Sequence, residues 1–407
     1  MLARLRASAL PPIAALRVPA DPETRLLLAC GRASLTADDA AQVRTLAASG
    51  LDWDRALRLA ARDGLRPLLH RHLTRHASTA APAVIETLRG YAQKNSAFGL
   101  LFTGELLRLL AALDAAGVDA MPFKGPALAQ QVYGHVALRQ FCDLDILVRD
   151  ADVWTASAVL EAHGFTADAP IPEHRRAACL KQDYVRLFRR DGGRTIVELH
   201  WAVAPRSFAV RFDGAAVWQR ASSMALQGRT VRVPAHEDLL LMLCVHGSRH
   251  GWDTLEQLAA LAELVRSAPL DWRAVWQRAG AMHCRRMVAF GLLLAHALFD
   301  APLPPDAAAA WRSAPLRALA LAIAAGHRVE AAETLTYGRL AARQLRLKDT
   351  WADRARAVAG ELTLTTPADW ALVDLPRPLS AAYPLVRAVR VARKHRLALQ
   401  PAAGDPS

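Results

Sequence analysis

Apolar positions recur with helical spacing over most of the chain, and one stretch near the middle switches to alternation. From Pro22 to about Ala115 the period is helical. Thr36 sits where it can cap a helix ending near Gly50, and Asp52 where it can start the next. A long amphipathic helix is expected from about Val84 to Ala116, stopped by Gly117. Val118 to Phe123 then reads as a strand. A short helix follows Gly125, with Pro126 in its first turn, where the missing N–H costs nothing. Residues 142–148 alternate as a strand, and Ala151 to His163 returns to helical period before Gly164. Tyr184–Phe188 and Thr195–Trp201 read as strands joined through the turn signal Asp191-Gly192-Gly193. Thr230–Val233 adds a last short strand. From Pro234 onward the pattern is helical, interrupted at Leu303-Pro304-Pro305 and between Pro367 and Pro384.

This order predicts an α+β, predominantly helical protein: a small mixed β-sheet core flanked by N-terminal and C-terminal helical regions. The expected divisions are a loose leader over residues 1–20, a helical region over 21–116, a mixed core over 117–234 and a C-terminal helical domain over 235–407. There is no internal repeat and no low-complexity tract. At 407 residues the chain exceeds one typical domain.

The strand at 142–148 carries the chemistry. Alternation puts Asp143 and Asp145 on one face and Leu144, Ile146 and Val148 on the other. Two carboxylates about 7 Å apart on one strand repel each other unless a cation sits between them. Such a pair belongs either to a solvated face or to a metal site. In the second strand the same alternation sends Glu198 and His200 one way, and Val197, Leu199 and Trp201 the other. Removing one acid of the pair should relieve repulsion, so Asp145→Asn is expected to keep or raise the thermal midpoint.

Read together, Met121-Pro122-Phe123-Lys124-Gly125-Pro126-Ala127-Leu128-Ala129, Val132-Tyr133-Gly134, Arg139 and Asp143-Leu144-Asp145-Ile146-Leu147-Val148 resemble the signature of an uncharacterised bacterial nucleotidyltransferase family of the DNA polymerase β-like superfamily. Matching segments follow at Ile196–Trp201 and at Pro234–Leu240, continuing to His246 and His250-Gly251-Trp252. The resemblance covers roughly residues 85 to 300. It implies a nucleotidyltransferase core in which a glycine turn cradles phosphate and three acids hold Mg²⁺ or Mn²⁺. On this sequence the acids would be Asp143, Asp145 and Glu198, serving as catalytic and metal residues. Lys124, Gly125, Arg139 and His200 would contact the nucleotide. Many relatives have Gly-Ser at the turn; here it is Gly125-Pro126, and Lys124 would take over part of the serine's role. The implied reaction moves a nucleoside monophosphate from an NTP to an acceptor (a small molecule, sugar or peptide) and releases pyrophosphate. Two alternatives stand beside it: a non-catalytic nucleotide-binding regulatory module, and a nucleotidyltransferase acting on nucleic acid.

Other features bound these readings. A net charge of +13 favours phosphate-bearing partners. Lysine is confined to positions 94, 124, 181, 348 and 394, so the Lys beside Gly125 stands out among arginines. The densest basic cluster is Arg387, Arg390, Arg393, Lys394 and Arg396, but no basic–aromatic stripe marks a nucleic-acid surface. Five cysteines without C-x-x-C spacing suit a reducing cytoplasm, and Cys142 is expected to be a small buried thiol. The first twenty residues make a poor signal peptide, and no uninterrupted apolar run is long enough to span a membrane. His246 and His250, four apart on one helix face, have metal-compatible spacing without an evident third ligand; packing against Trp252, or contact with the nucleotide from the helical domain, is favoured over metal binding, and packing is favoured for Tyr133. The acceptor or nucleoside is expected between the Asp143–Asp145 face and the helix bearing these histidines.

Overall fold

The computed structural model describes residues 21–78, 81–327 and 336–375, together with 379, 382–387 and 389–390. The expected leader, the tail residues Arg393, Lys394 and Arg396, and part of the proline-broken segment lie outside the described residues.

Helix caps follow the local chemistry of the sequence. Thr36 and Asp39 form a reciprocal capping box at the start of helix Ala37–Ala47, and Asp52 caps Trp53–Arg62. The long helix runs Pro82–Ala115. It is the one described helix long and apolar enough, by length and composition, to cross a membrane, although Glu105 and Arg108 interrupt its apolar run. The same helix buries Ile85, Leu88, Phe102, Leu106, Leu109 and Leu113 within the protein. Its Glu105 pairs with Arg108 and with Arg190, 2.6 and 2.8 Å away.

Five strands form one mixed sheet: β1 (Ala120–Pro122), β2 (Asp143–Val148), β3 (Thr166–Ala167), β4 (Val185–Arg190) and β5 (Thr195–His200), in the order β1-β2-β5-β4-β3. β2 and β5 are parallel, and the other neighbours are antiparallel. The 195–200 strand therefore lies directly beside the acidic strand, with Asp145 opposite Glu198 and Leu147 opposite His200. Among the described residues, β6 (Ser222–Leu226) and β7 (Arg229–Val233) pair only with each other.

The two sheet faces have different fates. Leu144, Ile146, Val148, Phe188, Val197 and Leu199 are buried in one apolar core with the long helix and helix Val153–Ala162. The opposite face bears Asp143, Asp145, Glu198 and His200. Around it stands a second, larger core built from the N-terminal helices, helix Gly125–Tyr133 and the C-terminal helices. Two of the latter, His236–His250 and Leu255–Ser267, bury most of their residues. Trp252 is wedged against their partner helix Arg285–Phe299: a β-carbon on Gly247 or Gly291 would come within 2.4 or 2.8 Å of its ring.

Candidate active site

The turn from β1 into helix Gly125–Tyr133 fixes the first part of the site. Gly125 has φ +53°, and a β-carbon there would meet the Asp143 carbonyl oxygen at 3.0 Å. Only glycine allows the turn to lie so close to the acidic strand. Lys124 stands at the N-cap of helix Gly125–Tyr133, which no side chain caps. Its buried ammonium forms an ion pair with Asp145 Oδ1 and lies 5.3 Å from the centre of the Phe123 ring.

Register brings the second part together. His200 Nε2 lies 3.2 Å from Asp145 Oδ1 and 3.1 Å from Glu198 Oε2, so its N–H is shared between two carboxylates. The Phe123 ring meets the imidazole edge-on at 5.0 Å. One ligand atom from each of Asp145, Glu198 and His200 falls within a 4.8 Å cluster. The second carboxylate oxygen of Asp145 is buried and has no hydrogen-bond partner. Asp143 is half-buried at the strand's start, outside that cluster.

The two aspartates differ electrostatically. Burial, then the negative charge of Asp145, pushes the Asp143 carboxyl up to about 6, against the opposing pull of Lys124. Burial also acts to raise Asp145, but Lys124 and His200 outweigh it and hold that carboxyl well below the usual carboxylate range. For His200 the two carboxylates overcome burial and raise its pKa. The expectation for Asp145→Asn therefore needs revising. Repulsion falls on Asp143, whereas Asp145 is the counter-ion of a buried lysine, and its removal would leave that charge unpaired.

A cleft of about 210 Å³ opens at this face. Lys124, Arg139, Cys142, Asp143 and Asp145 line one side; Leu243, His246, Glu256, Gln257 and Ala260 line the other. Arg139 reaches across it, donating from Nε and a terminal nitrogen to Glu256 at 2.5 and 3.2 Å. Its fork is thus engaged by a carboxylate 117 residues away in sequence, a partner that spacing alone could not indicate. Cys142 is exposed, not buried, because the strand begins one residue later and leaves the thiol in the preceding bend.

His246 faces the cleft half-buried, and His250 is exposed. Their rings stand 4.5 Å apart, and Trp252 packs on Gly247 and Gly291. Burial, Lys124 and His250 hold the His246 pKa well below its usual value, so the ring is neutral near pH 7. Tyr133 is buried in the larger core. Asp238 is also structural, gripped by Arg220 at 2.8 and 2.9 Å.

Sequence reasoning missed Glu256, Asp183 and Arg249. Burial pushes the Asp183 carboxyl up to about 6, and burial lowers Arg249 to about 10. The Arg249 guanidinium lies 4.6 Å from the Tyr184 ring centre, and that ring neighbours His200 at 5.8 Å. The position of Arg249, three residues after His246 on the same helix, was the available signal.

Over residues 49–300 the chain matches the family described as uncharacterised nucleotidyltransferase, and it belongs to that family. The class of activity that goes with membership is nucleotidyl transfer. A crystal structure of an antigenic nucleotidyltransferase-like protein from Paracoccidioides brasiliensis is similar at 16% identity, covering 50% of this chain and 93% of that one, with a TM-score of 0.28. No curated protein matches.

Proposed function

We propose that this family member is a metal-dependent enzyme of the DNA polymerase β-like superfamily that transfers a nucleoside monophosphate from an NTP to a small-molecule, sugar or peptide acceptor, releasing pyrophosphate. The observation that carries the reading is the pairing of Asp145 with Glu198 across parallel strands, with Asp143 on the same face and a buried, unpartnered Asp145 oxygen. That donor set fits a divalent cation, Mg²⁺ or Mn²⁺. Asp143, Asp145 and Glu198 would hold it, with His200 as a further nitrogen donor. When bound, such ions polarise the α-phosphate and activate the attacking hydroxyl.

The chain's own residues supply the rest. The uncapped N-terminus of helix Gly125–Tyr133 favours the triphosphate's negative charge. Lys124 neutralises Asp145 before ligands arrive and can turn to a phosphate oxygen afterwards. The shared N–H of His200 keeps the Asp145 and Glu198 carboxylates converged in spite of their repulsion. The helix bearing His246 forms the far wall, where a neutral imidazole can accept a hydrogen bond from nucleoside or acceptor. At about 210 Å³ the cleft is below the usual range for a small-molecule site, roughly 300–1,000 Å³. Binding a whole nucleotide therefore requires the Arg139–Glu256 bridge to yield, which would free Arg139 for the phosphates.

A second reading has one observation behind it. The Lys124 ammonium already occupies Asp145, as it would in a non-catalytic nucleotide-binding module that replaces metal with lysine. Calorimetric titration of Mn²⁺, alone and with a nonhydrolysable NTP, separates the two. The enzyme reading requires Mn²⁺ binding that is lost in Asp145→Asn. Nucleotide binding that is indifferent to Mn²⁺ and to Asp145→Asn supports the module.

A further inference from the structure

A larger cavity lies away from this cleft, beside the outer strands of the sheet. It measures about 530 Å³ and is lined by Trp154, Ser157, Glu161, Ile171, Arg176 and Arg186 among others. Arg186 pairs across β4 and β5 with Leu199, and Phe188 with Val197, so both side chains occupy the face opposite Glu198 and His200.

Its charge is unusual. The Arg176 and Arg186 guanidiniums each lie 4.9 Å from the centre of the Trp154 ring, two like charges sharing one aromatic surface. Arg186 is half-buried, lies 5.1 Å from the Phe188 ring, and donates to Ser157 Oγ at 2.7 Å. Among the described residues neither arginine has a carboxylate within salt-bridge distance. Glu161 is exposed and too distant to pair, although its field favours the Arg186 charge. Burial, and the neighbouring Arg176, pull the Arg186 pKa down. A half-buried guanidinium with no acid partner and a second cation beside it is an arrangement that a bound anion would relieve.

We propose that this cavity is a second binding site, for a small phosphate ester: the phosphate takes the free N–H groups of Arg176 and Arg186, and the organic part lies on Trp154, Ile171 and Pro170. Its volume falls within the usual range for small-molecule sites. The guanidinium fork matches phosphate geometry, and the apolar wall distinguishes an ester from inorganic phosphate. Because the sheet separates this cavity from Asp145 and Glu198, its ligand is not the acceptor of the transfer. The inference does not depend on the proposed reaction.

The test is calorimetric titration of phenyl phosphate, and separately of inorganic phosphate, into the full chain in EDTA. Saturable binding is expected, tighter for the ester. Arg176→Ala, an exposed position that leaves the fold intact, should weaken it about tenfold, the loss of one charge-assisted contact. Arg186→Gln, checked for folding by circular dichroism, should weaken it further, and Asp145→Asn should leave it unchanged. The proposal is overturned by absence of saturable binding, by affinity unchanged in Arg176→Ala, or by loss of binding in Asp145→Asn. Equal affinity for the two probes contradicts the role given to the apolar wall.

Discussion

At the scale of single residues, the two aspartates of β2 make opposite predictions. Asp143 has its folded pKa raised to about 6, from about 3.9 in an unfolded chain. The folded state then holds the proton more tightly, so this group's contribution to stability falls as pH rises from about 4 to 6 and stays unfavourable above that. Asp143→Asn should raise the thermal midpoint at pH 7 and make little difference near pH 4. Asp145 is the reverse: its folded pKa is lowered, so its contribution is present above the unfolded pKa and is lost in acid. Asp145→Asn should lower the midpoint at pH 7 by an amount equivalent to about 3 kcal/mol, since a buried ammonium loses its partner. Paired melting curves at pH 4 and pH 7 check both signs; a rise for both variants at pH 7 would contradict the assignment.

The same proton bears on the proposed metal site. Asp143 must ionise to act as a ligand, so Mn²⁺ affinity should fall about tenfold per pH unit once the pH drops below about 6. A flat Mn²⁺ affinity between pH 5 and 7, followed by calorimetry, would remove Asp143 from the ligand set.

At the scale of elements, the turn from β1 into helix Gly125–Tyr133 is the most demanding piece of local structure. Gly125→Ala meets both a positive φ and the Asp143 carbonyl. The strain alone is of order 1–3 kcal/mol, and its relief would displace the start of β2. Denaturant melts should show that loss, together with weakened Mn²⁺ binding; a variant as stable as the parent would show that the turn tolerates a side chain.

How far these elements could be read in the sequence depends on where their determinants lie. β2 and β5 were legible because alternation is local: one face apolar, the other carrying Asp143, Asp145, Glu198 and His200. The helix caps at Thr36 and Asp52 were legible for the same reason. β3 and β6 were not. β3 has two residues, and β6 buries only Leu226, so neither leaves a periodic trace. The parallel pairing of β2 and β5 was not legible, because register between strands about fifty residues apart is a tertiary fact. The Arg139–Glu256 bridge and the Lys124–Asp145 pair were hidden for that reason too. The Cys142 error came from extending a strand by one residue, which moves a side chain from exposed bend to core.

At the scale of the whole molecule, the cleft is closed by contacts between distant parts of the chain. Arg139, from the loop before β2, is bridged to Glu256 at the head of helix Leu255–Ser267. The Asp63 backbone carbonyl accepts from the Glu256 amide, and Asp63 Oδ1 accepts from the Leu255 amide. The N-terminal helices thus hold the helix that holds the arginine. Glu256→Gln should cost about 3 kcal/mol, because it leaves a largely buried guanidinium without its carboxylate. Chemical denaturation measures this, and a change under half that size would show the bridge to be loosely made. On the same wall as Glu256, His246→Ala should reduce transfer, whereas His250→Ala, at an exposed position, should leave it near the parent level. Equal effects of the two substitutions would make that helix only a support.

The most direct test of the central claim is label transfer from α-³²P-labelled NTPs, each supplied with Mg²⁺ or Mn²⁺ and an acceptor-containing cell extract, with pyrophosphate release followed in parallel. The account predicts a labelled product and stoichiometric pyrophosphate for the parent protein. It predicts neither with EDTA or with Asp143→Asn, Asp145→Asn or Glu198→Gln variants that remain folded. Label transfer that persists in folded Asp145→Asn, or that needs no divalent cation, would contradict it.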